Sequence, residues 1–217
     1  MRLIEKIGFD EMVLEWLMAE WYDRTPEEKK LYSHLIRASA DLSNQEANLK
    51  RFDLLWRTRG EELKGLKELP FKWFSCEMES SEEFKNLWII PHSNWYLITN
   101  KSFALNQITE DVCLDKRHGK TIREIKGTFS DRETIKGRLI LVGSGLDKLT
   151  IVEGNHRAAA LAIHGMEKGY NFFPLRVIVG LLPSIYLYPW SVERKDMEDH
   201  LRVCEEENPE SGKDILC

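Results

Sequence analysis

The sequence predicts an α+β protein, in which a small mixed sheet packs with helices and follows a helical N-terminal extension. In the first third of the chain, large apolar residues recur at helical spacing. After Pro70, short apolar and β-branched runs are typical of buried strands. One of these runs passes through a glycine directly into an alanine-rich helical segment, so strands and helices alternate in the later part of the chain.

Residues 1–65 are predicted to form the helical extension. The apolar face of the first helix consists of Phe9, Met12, Val13, Trp16 and Leu17. A second helix is predicted to begin at Thr25. Thr25 would be its N-cap, Pro26 occupies the first helical position, and Glu28 would close a capping box with Thr25. Apolar spacing over residues 47–56 predicts a third helix. Aromatic stripes of this kind are typical of a hydrophobic core rather than of a ligand site.

Glycines and a proline between residues 60 and 70 place a domain boundary there, so that residues 66–190 form the α/β domain. Residues 191–217 are predicted to be a C-terminal helix and an acidic tail. The expected strands of the α/β domain lie at 71–76, 139–142, 149–152 and 174–179. The expected helices are a short capped helix from 80 that ends before 87–90, helices at 121–126 and from 130, and a helix at 156–164 that stops at Gly165.

Composition limits the classes of partner. The formal net charge is −5 and the basic residues are interspersed with acids, which argues against binding to a long nucleic acid. The four cysteines form no Cys-x-x-Cys pair, so neither a disulfide framework nor a zinc site is expected. No signal peptide is recognisable and no run approaches the ~20 apolar residues that span a bilayer. We therefore expect a cytoplasmic protein without a membrane partner.

The segment Val152–Arg157, reading Val-Glu-Gly-Asn-His-Arg, carries the strongest functional signal. A buried strand ends there, Gly154 allows a tight turn, and a helix begins at once. The first amides of a helix lack internal acceptors and, with the helix dipole, attract anions such as phosphate. Arg157 could grip phosphate oxygens and His156 could donate or move a proton. The alternative is that Asn155 merely caps the helix while its two neighbours are solvated.

This turn resembles the phosphate-binding signature of the ParB/sulfiredoxin superfamily, whose members carry Gly-x-x-Arg between a strand and a helix. The resemblance covers roughly residues 85–183. Asn155 stands where sulfiredoxins have their catalytic cysteine, which argues against sulfiredoxin chemistry. Chromosome-partition ParB proteins, which bind CTP, carry Gly-Glu-Arg-Arg, and the Gln-Pro that often follows their earlier glycine is replaced here by Arg138-Leu139. The motif of the superfamily that the turn resembles most is Asp-Gly-His-His-Arg of the free serine kinases. Gly154, His156 and Arg157 match it, whereas Glu153 and Asn155 replace the aspartate and the first histidine.

The resemblance implies a division of roles. Glu153 and His156 would be catalytic: Glu153 would coordinate Mg²⁺ or orient the acceptor, and His156 would steady the transferred phosphoryl group. The nucleotide would be held by Gly154, Asn155, His156, Arg157 and Arg138. The acceptor base would come from another element, and His92 is a candidate whose alternative reading is a turn histidine. Trp95 and Trp190 could line a pocket, although most large aromatics fill cores.

The leading hypothesis is a phosphotransferase that uses ATP, ADP or CTP with Mg²⁺ to phosphorylate a small molecule. The alternative is a nucleotide-binding regulatory module, in which the N-terminal helices respond to nucleotide with or without its hydrolysis. A ParB-like nuclease is a third reading, disfavoured by net acidity and by the lack of an evident carboxylate cluster. Two roles of the N-terminal helices are compatible with the sequence: they could cover the site, or they could form the interface of a homodimer.

Overall fold

The computed structural model describes residues 1–21, 24–37, 39–108, 116–129 and 137–207. Six strands form one mixed sheet: β1 (Arg2–Ile7), β2 (Lys72–Met78), β3 (Trp88–Ile89), β4 (Leu139–Gly143), β5 (Thr150–Glu153) and β6 (Leu175–Leu181). Their order across the sheet is β1-β2-β6-β4-β5-β3. The pairs β6–β4 and β5–β3 are parallel, and the other three neighbouring pairs are antiparallel.

Eight α-helices accompany these strands within the described residues. They are α1 (Phe9–Glu20), α2 (Pro26–Tyr32), α3 (Gln45–Glu68), α4 (Ser81–Lys85), α5 (Ser93–Tyr96), α6 (Lys116–Gly127), α7 (Asn155–Lys168) and α8 (Met197–Glu207). The predicted α+β class is therefore confirmed. None of the described helices combines the length and apolarity needed to cross a membrane.

Hydrophobic cores on both faces of the sheet explain the unbroken apolar runs of its central strands. Leu139 and Leu141 of β4 belong to the core that contains α7, whereas Ile140 and Val142 belong to the core built on α1 and α3. A strand covered on both faces has no solvent side and so needs no polar alternation. Residues 158–160 of α7, all alanine, are fully buried, which allows this helix to approach the sheet closely.

Both predicted capping boxes are present. The Thr25 side chain accepts a hydrogen bond from the Glu28 amide, and Ser80 accepts one from the Glu83 amide. In each case the glutamate bonds back to the cap residue. Each cap satisfies amides that the helix itself cannot, and such an interaction contributes about 1 kcal/mol.

The expectation that residues 1–65 are wholly helical is wrong at the start of the chain. Residues 2–7 form edge strand β1, which pairs antiparallel with β2. Of its six residues only Ile7 is buried, so the alternation that reveals a half-buried strand is missing. The predicted boundary at 60–70 falls largely inside α3, which continues to Glu68. Gly65 lies within that helix, and its lack of a side chain leaves room for the Tyr188 ring, which a Cβ would approach within 2.7 Å.

The predicted end of α7 at Gly165 is also wrong. The helix continues to Lys168, and Gly169 ends it with a positive φ of 85°. Gly165 instead makes room for the Tyr170 ring, which a Cβ would approach within 2.4 Å. The helix predicted from Ser130 and the acidic tail beyond Glu207 lie outside the described residues.

Candidate functional site

The strand-to-helix turn has the backbone that the sequence predicts. Gly154 adopts φ 92° and ψ 19°, a left-handed conformation, between β5 and α7. A Cβ at this position would come within 2.5 Å of Leu139 and 2.9 Å of the Arg157 guanidinium. Its carbonyl accepts the first helical hydrogen bond, from the Ala158 amide at 2.8 Å. Conformation and close packing therefore both require glycine here.

Asn155 fixes the turn to a neighbouring segment. Its side-chain oxygen accepts a hydrogen bond from the Ile90 amide at 3.1 Å, and its nitrogen donates to the Val152 carbonyl at 3.4 Å. The side chain thus joins the end of β5 to the residue after β3. The capping role considered for Asn155 is wrong, because Gly154 occupies the N-cap position and no side-chain cap bond forms.

Arg157 turns back onto the strand that precedes it. Its Nη2 donates to Glu153 Oε1 at 2.8 Å and to the Arg138 carbonyl at 3.5 Å. The guanidinium packs so closely that a Cβ on Gly137 would lie 2.5 Å from it. The side chains of Arg157 and Glu153 are only 13% and 14% exposed. This pair braces the turn, and the alternative of a solvated arginine is wrong.

Glu153 is a buried carboxylate with mixed neighbours. Burial raises the pKa of its carboxyl group, Arg157 lowers it, and the nearby Glu20 carboxylate raises it, with a net pKa above the ordinary value. The ionised form therefore depends on Arg157 for compensation. Within the described part of the chain, no group of three or more histidine, cysteine or acidic side chains is arranged to hold a metal ion.

His156 pairs with a histidine that the sequence reasoning missed. His118 Nδ1 lies 2.6 Å from His156 Nε2, and the two ring planes are tilted by 23° with their centroids 4.8 Å apart. The buried Trp95 ring contacts both, with centroid distances of 4.8 Å and 4.9 Å. At this distance one imidazole donates a hydrogen bond and the other accepts it, and the tautomer decides which of them is the donor.

The N-terminal helices bring a second set of charges to the turn. Glu20, at the end of α1, accepts hydrogen bonds from Trp16, Arg24 and Arg59. Arg59 also interacts electrostatically with Glu153. Burial lowers the pKa of Arg59, but its acidic neighbours outweigh that effect and the pKa is raised. These residues carried no motif signal, since only the tertiary fold brings α1 and α3 to the turn.

The remaining candidates predicted from the sequence have other neighbours. The Arg138 side chain is directed to Glu15 at 3.7 Å and to Ser75 at 3.4 Å, and the Arg138 carbonyl accepts a hydrogen bond from Arg157. His92 Nδ1 accepts a hydrogen bond from the Asn94 amide at the start of α5.

The tryptophans considered as pocket residues have different neighbours. The Trp190 ring stacks on His92 with centroids 6.2 Å apart, whereas Trp95 lies against the histidine pair. Trp95 therefore contacts His156 of the turn, whereas Trp190 contacts the candidate base His92.

Comparison of the chain with protein-family models, with curated proteins and with solved structures found no match in any of the three. Residues 153–157 and their contacts, with His118 and Trp95 on one side and Arg59 and Glu20 on the other, therefore define the candidate site by geometry alone.

Proposed function

We propose that the protein is a nucleotide-dependent phosphotransferase that uses ATP, ADP or CTP with Mg²⁺ to phosphorylate a small molecule. The observation that carries this proposal is the contact between His156, in the first turn of α7, and His118 of α6. Helix amides and dipole favour an anion at that end, and the imidazoles supply protons beside it. Phosphoryl transfer uses both, because a proton donor offsets the charge on the transferred oxygens, and a neutral imidazole can take up the proton that the acceptor loses.

The roles follow from the contacts. Backbone amides of the turn would hold the nucleotide phosphates, and His156 would donate to the transferred group with His118 as its proton partner. The phosphate would compete with Glu153 for the Arg157 guanidinium. A Glu153 carboxylate released in this way would be available to Mg²⁺ bound on the phosphate oxygens, since hard oxygen ligands suit that ion.

Phosphorus NMR tests this proposal. The protein is incubated with Mg²⁺ and each of ATP, ADP, CTP and GTP, with and without a pool of amino acids and small alcohols. We expect acceptor-dependent turnover by the unmodified protein and at least about a hundredfold loss in His156→Gln, the usual scale for a positioned acid–base group. His164→Gln is the matched control, because His164 lies on the same helix against Phe129. Equal loss in both variants, or no turnover with any nucleotide, would contradict the proposal.

A second candidate is the regulatory module, favoured by the charges that α1 and α3 bring to the turn. Arg59 interacts with both Glu20 and Glu153, so a change in the Glu153–Arg157 pair alters the environment of the N-terminal helices. This reading expects nucleotide binding without acceptor-dependent turnover. It also expects slower amide exchange in α1 and α3 on binding, an effect that Arg59→Met should abolish. Unchanged exchange in these helices would contradict it.

A further inference from the structure

Two adjoining grooves lie where the end of β1, the start of β2 and the C-terminal part of α3 meet. One has a volume of about 250 Å³ and the other, on α3 itself, about 520 Å³. Lys67 lines both, and we call them together the lysine groove. Neither contains a residue of the 153–157 turn, so the inference below is independent of the function proposed above.

The lysine groove is basic in an acidic protein. Its charged lining residues are Lys6, Lys64, Lys67, Lys72, Asp53 and Glu68. Four lysines and two acids give a local charge of +2, whereas the whole chain carries −5. In the described part of the chain none of these four lysines forms a salt bridge, although exposed lysines elsewhere, such as Lys50, do. The smaller groove contains lysine as its only charged residue type.

Aromatic rings form the floor of the lysine groove. Phe52 contacts Phe9 and Trp56, with centroid distances of 6.2 Å and 5.5 Å, and thereby connects the two parts. Lys67 Nζ lies 4.0 Å from the centroid of the Phe52 ring. The Trp56 side chain is 42% exposed although a tryptophan usually buries most of its surface. The groove thus offers apolar area next to ammonium groups that form no salt bridge with the described carboxylates.

We propose that the lysine groove docks an acidic peptide segment of a partner protein, with a large apolar side chain on the aromatic floor. Carboxylates of the segment would pair with the lysines, and the apolar side chain would cover Trp56 and Phe52. Aromatic residues are the usual energetic centres of such interfaces, while complementary charge sets the choice of partner. A nucleic-acid strand fits less well, because its backbone carries a charge at every nucleotide and would bring phosphates close to Asp53 and Glu68, whereas a peptide can place neutral residues there.

Selection from a displayed library of random short peptides tests the proposal with the full chain as bait. We expect the selected peptides to be rich in Asp and Glu and to contain a large apolar residue. A labelled selected peptide is then titrated by fluorescence anisotropy. Lys67→Glu/Lys72→Glu should weaken its binding at least about tenfold, because two attractive charges become repulsive. Trp56→Ala should weaken it without changing any charge.

The matched control for this test is Lys30→Glu/Lys195→Glu, which reverses two exposed lysines outside the groove. It should leave the affinity within about twofold, the scale expected of distant surface charges. Equal loss in both double variants would show nonspecific charge attraction and overturn the proposal. Recovery of no peptides, recovery of basic peptides, or displacement of the peptide by a uridine oligonucleotide would also overturn it.

Discussion

The turn at 153–157 and the lysine groove differ in the burial and pairing of their charged side chains. At the turn, Arg157 and Glu153 are almost enclosed and satisfy each other, with Glu20 and Arg59 closing the network. In the lysine groove, the ammonium groups are exposed and none has a carboxylate partner within the described residues. Charges paired in the interior fix geometry, whereas charges left at an apolar surface are available to another molecule. Substitution of a charged residue should therefore lower the free energy of unfolding at the turn, whereas in the lysine groove it should weaken ligand binding and leave stability nearly unchanged.

The largest effect is expected for Arg157→Met. This change leaves the Glu153 carboxylate buried without its partner, at a cost of about 3 kcal/mol in the free energy of unfolding. Urea denaturation at pH 8 measures it, with Arg176→Met, an exposed arginine of β6, as the control. Removing both charges in Arg157→Met/Glu153→Leu should recover much of the loss. A double variant no more stable than the single one would contradict an electrostatic origin.

The pH dependence of Arg157→Met follows from the raised pKa of Glu153. Without Arg157 the folded-state pKa of that carboxyl group should rise further above its unfolded value. A raised acid pKa means that stability is fully present below the unfolded pKa and is lost as pH rises through the folded pKa. The variant should therefore approach the unmodified protein as pH falls from 8 towards 5. A stability gap that is constant over this range would contradict the prediction.

Gly154→Ala should have the next largest effect. The positive φ disfavours any side chain, and the new Cβ would press on Leu139 and on the guanidinium of Arg157. We expect a loss of about 2 kcal/mol, the scale of one strained backbone position with crowding. Gly127→Ala is the matched control, because a Cβ there meets nothing within 4 Å and should be neutral or slightly stabilising. Equal unfolding midpoints for the two variants would show that the turn is not strained.

Lys67→Glu/Lys72→Glu should have the smallest effect on folding. Both side chains are exposed and neither takes part in a salt bridge within the described residues, but Lys67 lies over the Phe52 ring, so the free energy of unfolding should fall by no more than about 1 kcal/mol. Urea denaturation at pH 7 measures this. A loss comparable to that of Arg157→Met would mean that these lysines stabilise the fold, and the contrast between the two regions would fail.

Local chemistry made much of the fold predictable from the sequence. The capping boxes at Thr25 and Ser80 and the buried strand at 139–142 depend on neighbouring residues, and all are confirmed. Strand β1 was not predictable, because it lies at the sheet edge and only one of its residues is buried. Gly165 was predicted to end a helix, yet the packing of Tyr170 determines its place inside one.

The candidate site was predictable only in its backbone. The strand, the left-handed glycine and the helix follow from residues that adjoin in sequence. His118 contacts His156 from 38 positions away, and Arg59 reaches Glu20 from 39. No spacing rule connects such positions, because the sheet and its two helical layers bring them together.

Helix α3 is broken at Arg59, a residue that contacts the site on one side and leads into the lysine groove on the other. Arg59 has non-helical angles, φ −135° and ψ 28°, so the helix consists of two rods joined at the residue that binds Glu20. The shorter rod, Gly60–Glu68, is about 14 Å long and supplies Lys64 and Lys67 to the groove. We expect a ligand that tilts this rod to shift the Arg59 guanidinium, which interacts electrostatically with Glu153. The lysine groove and the 153–157 turn are thus connected through α3, since Arg59 directly precedes the rod that lines the groove and also interacts with Glu153.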